Sequence, residues 1–166
     1  EQTLHSLTGD IGSLKLQLTD TKELIVQNIH MMRITPSIWP TLSTKVSSRY
    51  GYRKDPFSRR AAFHSGVDIA GDTSDPIYTT ADGIVTLANY DRAYGYNIIV
   101  KHASGVSTHY AHLKKILVEN GQVVKQGETI GLLGSTGRST GPHLHYEVLK
   151  NGDTIDPMPY LGQQRD

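Results

Sequence analysis

The sequence predicts a mainly β protein: an antiparallel β-sheet domain preceded by one N-terminal α-helix. Three observations carry this. After Pro40 the apolar residues fall in short, closely spaced runs separated by turn dipeptides, the pattern of many short strands. No second helix-period segment follows, apart from a weak one at Lys114 to Val118. Before Pro36 the period is different, with apolar residues at heptad spacing.

The helix comes first. Leu4, Ile11, Leu18, Ile25 and Met32 form one row; Leu7 and Leu14 begin a second, continued by Thr21 and Asn28. Gly9 and Gly12 weaken the first half, and the two polar residues weaken the second row. The segment reads either as an amphipathic helix packed on its own domain or as a dimerising coiled-coil stalk. Pro36 and Pro40 cannot continue it, which puts a boundary between residues 1–35 and a β-rich domain of residues 36–166. Trp39, the single tryptophan, reads as a packing anchor.

In the β domain, Val46 to Tyr52 reads as a strand, followed by a basic loop from Arg53 to Arg60. Asp75-Pro76 marks a turn into Ile77 to Thr79. Ile84 to Tyr90 and Ile98 to His102 flank a tyrosine- and glycine-bearing loop. Ser104-Gly105 turns the chain into Val106 to Tyr110, making a hairpin. Asn120-Gly121 and Gln126-Gly127 are further turns. Gly131 to Pro142 holds four glycines among serines and threonines. Leu144 to Leu149, Asn151-Gly152 and Thr154-Ile155 close the chain as a last hairpin.

Composition removes several function classes. The net charge of +1 and pI near 8.2 give no electrostatic case for nucleic acid or an anionic membrane. Without cysteine there is no zinc ribbon, thiol nucleophile or disulfide framework, which fits an oxidising compartment. No apolar run reaches the ~18 residues of a membrane span. The chain starts at Glu1 rather than Met and shows no signal peptide, so the expectation is a trimmed sequence, with an anchor upstream of Glu1 left open.

The chemistry is concentrated in Gly141-Pro-His-Leu-His-Tyr-Glu147. On a strand alternate side chains share a face, so His143, His145 and Glu147 point one way and Leu144, Tyr146 and Val148 the other. His64-Ser-Gly-Val-Asp68 offers a second pair at an even offset. Imidazole and carboxylate are zinc ligands, and a catalytic zinc uses three protein ligands and keeps one position for water. A lone His-x-His pair reads as ordinary surface or core histidines. Joined by His-x-x-x-Asp upstream and Tyr-x-His between them, it reads as a metal site.

The other histidines sort by position. His5 and His30 lie on the helix, and His102 at a strand end reads as structural. His109 and His112 follow one strand at an odd offset, so parity lets only one face a site on one side of the sheet, and does not say which. Glu147 can act as base or as hydrogen-bond partner of a ligand imidazole; the second role is preferred. Ser135 to Thr140 reads as a groove wall or a plain glycine-rich turn. Tyr94 and Tyr96 read as the opposite wall or ordinary hairpin tyrosines. Arg53, Arg59 and Arg60 read as groups that meet substrate carboxylates or as a solvated basic loop, the second being preferred.

His64-Ser-Gly-Val-Asp68, Tyr110-Ala-His112-Leu113 and His143-Leu-His145-Tyr-Glu147, in this order, resemble the lysostaphin/LytM-type zinc metallopeptidases. The likeness runs over roughly residues 36 to 161, through Ser48-Arg-Tyr-Gly-Tyr-Arg53, Ala81-Asp-Gly-Ile-Val85, Gly127-Glu-Thr-Ile-Gly131 and Gly134-Ser-Thr-Gly-Arg-Ser-Thr-Gly141. The resemblance implies a grooved antiparallel sheet of the duplicated-hybrid-motif kind. It also implies Zn2+ as cofactor and hydrolysis of peptide cross-links in bacterial peptidoglycan, with metal-activated water as nucleophile. By matching positions, His64, Asp68 and His145 are the expected zinc ligands, and His112 and His143 the uncoordinated catalytic pair. Peptidoglycan stem peptides are then the expected partners, the cell envelope on its periplasmic or extracellular side the expected location, and a homodimer through the helix an added expectation. The alternative is a non-catalytic or autoinhibited module that scaffolds or regulates other wall hydrolases. Retention of all three ligands favours the enzyme.

Overall fold

The computed structural model describes residues 2–162. The chain divides into two compact units, the first ending at Met32 and the second beginning at Arg33.

The helix α1 spans Gln2–Ile34. Ile11, Leu14, Leu18, Ile25 and Met32, five of the heptad positions, are all more than half exposed. Leu16, Leu24, Val26, Ile29 and Met31 are exposed as well, so apolar side chains surround the second half rather than forming one stripe. Thr21 in the second row donates its hydroxyl to Gln17 O at 2.7 Å, satisfying itself on its own helix. The side chains of Leu4, His5 and Leu7 lie outside the described residues. No described helix is long and apolar enough to cross a membrane.

The second unit is built from β1 (Val46–Ser48), β2 (Gly51–Lys54), β3 (Ala61–His64), β4 (Val67–Ala70), β5 (Pro76–Tyr78), β6 (Gly83–Asp91), β7 (Gly95–His102), β8 (Val106–Ile116), β9 (Val123–Val124), β10 (Thr129–Leu133), β11 (His143–Lys150) and β12 (Asp153–Ile155). All pairings are antiparallel. The main sheet runs β1-β4-β11-β8-β7-β6-β9, with β10 joining β5 to β8 and β12 beside β11; β2 and β3 form a separate two-stranded sheet. Two sequence expectations are corrected. The strand read from Val46 to Tyr52 breaks after Ser48, and Gly51, with φ +112°, opens β2 in the small sheet. Lys114 to Val118 is not helical: its first half continues β8, where Leu132 pairs with Lys115 and Gly131 with Ile116, so sheet pairing overrides a weak local period.

The core sits under one face of the central strands. Val67, Ile69, Ile98, Val100, Tyr110, Leu113, Ile130, Leu133, Leu144, Tyr146 and Val148 are buried together. Each fully buried aliphatic of this kind contributes roughly 1.5–3 kcal/mol by leaving water. The tyrosines need partners for their hydroxyls. Thr80 Oγ1 bonds both Tyr110 Oη at 3.1 Å and Tyr146 Oη at 2.9 Å, and Thr108 Oγ1 links Tyr110 to His102. His102 is therefore structural, as its place at a strand end implies. Trp39 packs on the core edge and donates Nε1–H to Gly162 O at 2.7 Å, tying the start of the domain to its end.

Candidate active site

With Leu144, Tyr146 and Val148 in the core, the pleat turns His143, His145 and Glu147 to the other face. Register then supplies their neighbours. His145 pairs directly with Asp68 of β4 on one side, and Glu147 with His109 of β8 on the other. Directly opposed residues on one face sit close enough for side-chain contact. His64 arrives from β3 over a tight connection: a Cβ at Gly66 would lie 2.4 Å from Tyr146 O, so only glycine lets the chain cross β11 there. His64 and Asp68 thus meet across a turn between two sheets, not along one strand.

Three atoms face one another. His64 Nε2 lies 3.1 Å from Asp68 Oδ1 and 3.2 Å from His145 Nδ1, and Asp68 Oδ1 lies 2.9 Å from His145 Nδ1. The far nitrogens fix the tautomers. His64 Nδ1 is 2.8 Å from Arg49 O and must donate to it; His145 Nε2 is 3.0 Å from the Glu147 carboxylate and must donate too. Two imidazole lone pairs and a carboxylate oxygen therefore converge on one point, an arrangement that needs a shared cation. Metal–ligand bonds of about 2.0–2.1 Å at tetrahedral angles put ligand atoms about 3.3 Å apart, close to the spacing seen, so the donor set fits a divalent ion. Among the described residues these three form the one group with that disposition.

Electrostatics agree. Burial pushes the Asp68 carboxyl up, but the His145 and His64 rings, donating to it and attracting it when they carry a second proton, hold it far below the usual carboxylate range. Burial pushes His145 down, yet Asp68 and Glu147 raise it to about 9. A proton on Nδ1 of His145 and a metal ion compete for the same lone pair.

His112 and His143 flank this group, their ring centroids 4.8 Å apart. Each anchors Nδ1 on a backbone carbonyl at 2.8 Å, His112 on Thr136 O and His143 on Gly141 O, which leaves both Nε2 atoms bare. His143 Nε2 is 3.7 Å from Asp68 Oδ1. Burial, with the nearby His143 and His145, pushes His112 down to about 4 despite its bond to Thr136.

Parity does not decide between His109 and His112, because both reach the site side. His112 adopts φ +61°, and β8 fits an extra residue opposite β7 between the pairs Ile98–Tyr110 and Tyr96–Leu113. The bulge rotates His112 onto the face that His109 already occupies. Its N–H donates to Tyr94 O at 2.7 Å, which holds the left-handed backbone in place.

The five residues line a groove of about 560 Å³. Arg138, Ser139 and Thr140 line it, as the glycine-rich segment implies, together with Tyr94 and Phe57. Tyr96 is not on the opposite wall; it stacks edge-on with Tyr90 at 5.0 Å, outside the groove. Arg53 lines the groove and reaches Asp68, whereas Arg59 and Arg60 are exposed. Sequence reasoning left out the contact of Arg53 with Asp68, the pairing of Arg138 with Asp55 and the pairing of His109 with Glu147.

Comparison with known proteins agrees with this geometry. The profile described as Peptidase family M23 matches residues 62–157. Peptidoglycan DD-endopeptidase ShyA of Vibrio cholerae is 41% identical over 115 residues, 69% of this chain and 27% of that protein. A crystal structure titled as a zinc containing peptidase from Vibrio cholerae superposes with a TM-score of 0.67 at 38% identity, covering 76% of this chain and 39% of that one. The catalytic domain of lysostaphin from Staphylococcus simulans gives a TM-score of 0.64 at 32% identity, covering 70% of this chain and 90% of that one. The chain spans under a third of the length of the curated relatives it matches, 28% for the first of them. Profile, relatives and fold agree, and the chain belongs to peptidase family M23, a family of metallopeptidases to which lysostaphin is a structural neighbour.

Proposed function

We propose that this domain is a zinc-dependent endopeptidase that hydrolyses peptide cross-links of bacterial peptidoglycan, with residues 36–166 as the peptidase domain and residues 1–35 as a helical stalk. The observation that carries it is the convergence of His64 Nε2, Asp68 Oδ1 and His145 Nδ1 within about 3 Å of one another at the floor of an open groove. These three atoms would hold the ion. When bound, zinc supplies a Lewis acid that acidifies water and polarises the scissile carbonyl.

The remaining work falls to this chain's own side chains. His112, kept neutral by burial, presents a bare Nε2 that can take the proton of the attacking water. His143 presents its own Nε2 from the next wall, placed to bind the oxyanion once protonated or to pass a proton to the leaving amine. Their Nδ1 anchors on backbone carbonyls keep both rings aimed without cost at the moment of reaction. A groove of about 560 Å³ gives room for a segment of stem peptide beside these groups.

The relative named a peptidoglycan DD-endopeptidase supports peptidoglycan as the substrate and the cell envelope, on the periplasmic or extracellular side, as the place of action. A homodimer through α1 is a further part of the proposal, one that would cover the exposed heptad residues Ile11, Leu18, Ile25 and Met32.

The test is digestion of purified peptidoglycan and isolated muropeptides with mass analysis of the products. New stem-peptide ends are expected, lost on chelation and restored by zinc, and absent with His145→Ala. Cleavage that survives chelation overturns the proposal.

A further inference from the structure

Behind the candidate ligands lies a buried polar chain that the proposed reaction does not use. Glu147, His109 and Asn97 are 3%, 5% and 2% exposed, so each must meet its hydrogen-bonding needs inside the protein. The connections are continuous. His145 Nε2 meets Glu147 Oε1 at 3.0 Å, Glu147 Oε2 meets His109 Nδ1 at 3.0 Å, and His109 Nε2 meets Asn97 Oδ1 at 3.0 Å.

Asn97 fixes the proton count. Its Nδ2 faces three oxygens, Asn89 Oδ1 at 3.0 Å, Asp91 Oδ2 at 3.0 Å and Gly95 O at 2.9 Å. A flipped amide would set its own oxygen against all three, so Oδ1 must face His109. His109 then has an acceptor at each ring nitrogen, a carboxylate at Nδ1 and an amide oxygen at Nε2. Both nitrogens are met only if both carry a proton. His109 and the Glu147 carboxylate form a buried pair.

That pair acts on His145. An anionic Glu147 accepts from Nε2–H of His145 and from the hydroxyls of Ser65 and Tyr94. With its proton held at Nε2, His145 must present the Nδ1 lone pair to the ion. The chain does not end at Asn97. Asp91, which accepts from Asn97, also takes the backbone N–H groups of Ala93 at 2.8 Å and Tyr94 at 2.7 Å, and Tyr94 O holds the N–H of His112. One network thus touches a candidate ligand at one end and the backbone of a proposed catalytic histidine at the other.

We infer that His109 is a positioning residue: through Glu147 it locks His145 in the metal-binding tautomer, and through Asn97 it couples that ligand to the Asp91–Gly95 turn that seats Tyr94 and His112. This rests on the zinc reading proposed above, and the experiment separates the two.

The full chain is compared with His109→Asn and His109→Gln. An asparagine amide can stand in for Nδ1 and keep the donor to Glu147; a glutamine amide reaches the Nε2 position and keeps only the link to Asn97. Zinc affinity is measured by chelator competition, and ligand geometry by the visible spectrum of the cobalt(II)-loaded protein. The asparagine variant is expected to keep zinc affinity within about threefold and an unchanged cobalt spectrum. The glutamine variant should lose about 10–100-fold and show an altered spectrum, the usual scale for removing the partner of a ligating imidazole. A packing role alone would not rank the two in this order. Equal weakening of both, or wild-type affinity and spectrum in both, overturns the inference. Nitrogen-15 correlation of the His109 ring at neutral pH is an independent check: two protonated nitrogens support it and one bare nitrogen overturns it. If the wild type binds zinc yet leaves peptidoglycan intact, the hydrolase reading fails while the affinities still decide the relay.

Discussion

Arg53 reaches from β2 to Asp68, Nη2 to Oδ2 at 3.3 Å, on the carboxylate oxygen that the two imidazoles leave free. It fixes the plane of the carboxylate and so aims Oδ1 at the ion. Arg53→Gln should weaken zinc binding by about tenfold, as loss of a ligand's hydrogen-bond partner commonly does. Chelator competition checks this, with circular dichroism showing an unchanged fold. Arg53→Lys should recover part of the loss, since a single donor is what the contact uses.

His112 and His143 should separate from the ligands by their metal content. Each substitution to alanine is expected to lower kcat by about 10²–10⁴-fold, the range for a lost proton-transfer group, while zinc content stays at wild-type level. His64→Ala and Asp68→Ala should lose the metal and the activity together. Metal analysis beside steady-state kinetics makes the distinction; zinc loss in His112→Ala would place that residue among the ligands instead.

The pH dependence of zinc uptake follows from His145. Without an ion its ring is raised to about 9 by Asp68 and Glu147, so below that pH binding must displace a proton from Nδ1. Apparent affinity should rise by about tenfold per pH unit for that one proton as pH increases toward 9, then level off. Calorimetry in buffers of different ionisation enthalpy would count the proton released. Zinc affinity that is flat across neutral pH would contradict the assignment of His145 as a ligand.

Across the groove rim, Arg138 Nη2 meets both carboxylate oxygens of Asp55 at 3.0 Å, and its guanidinium lies 4.6 Å from the Phe57 ring centroid. The Arg138 side chain is more than half exposed, so the contact should matter for groove shape more than for stability. Arg138→Ala is expected to raise KM several-fold on polymeric substrate with kcat nearly unchanged, and to remove the salt sensitivity of KM. Kinetics at two ionic strengths test it.

The even offset of His64 and Asp68 did not foretell their meeting, which comes across a turn between two sheets, whereas within β11 strand pleat ties side-chain direction to position. The face shared by His143, His145 and Glu147 is a direct product of that rule. It did not extend to His112, whose direction depends on a bulge and a left-handed residue that no local signal in Tyr110-Ala-His-Leu113 announces. Nor did it reach Arg53 or Arg138, whose partners lie fifteen and eighty-three residues away, so that only tertiary pairing brings them together. The change of sheet between Ser48 and Gly51 shows the same limit, since nothing in Val46 to Tyr52 announces it. The heptad rows of α1 described its spacing correctly, yet the exposed residues around the rest of its circumference show how little a two-row reading says of a helix's full surface.

His64 belongs to the small β2–β3 sheet, whereas Asp68 and His145 belong to the large one. An ion held by all three is a rivet between two sheets that share no strand pairing. Chelation would then loosen the hairpin bearing Arg53, Asp55 and Phe57, so that the mouth which admits the peptide and the centre which cuts it come apart together.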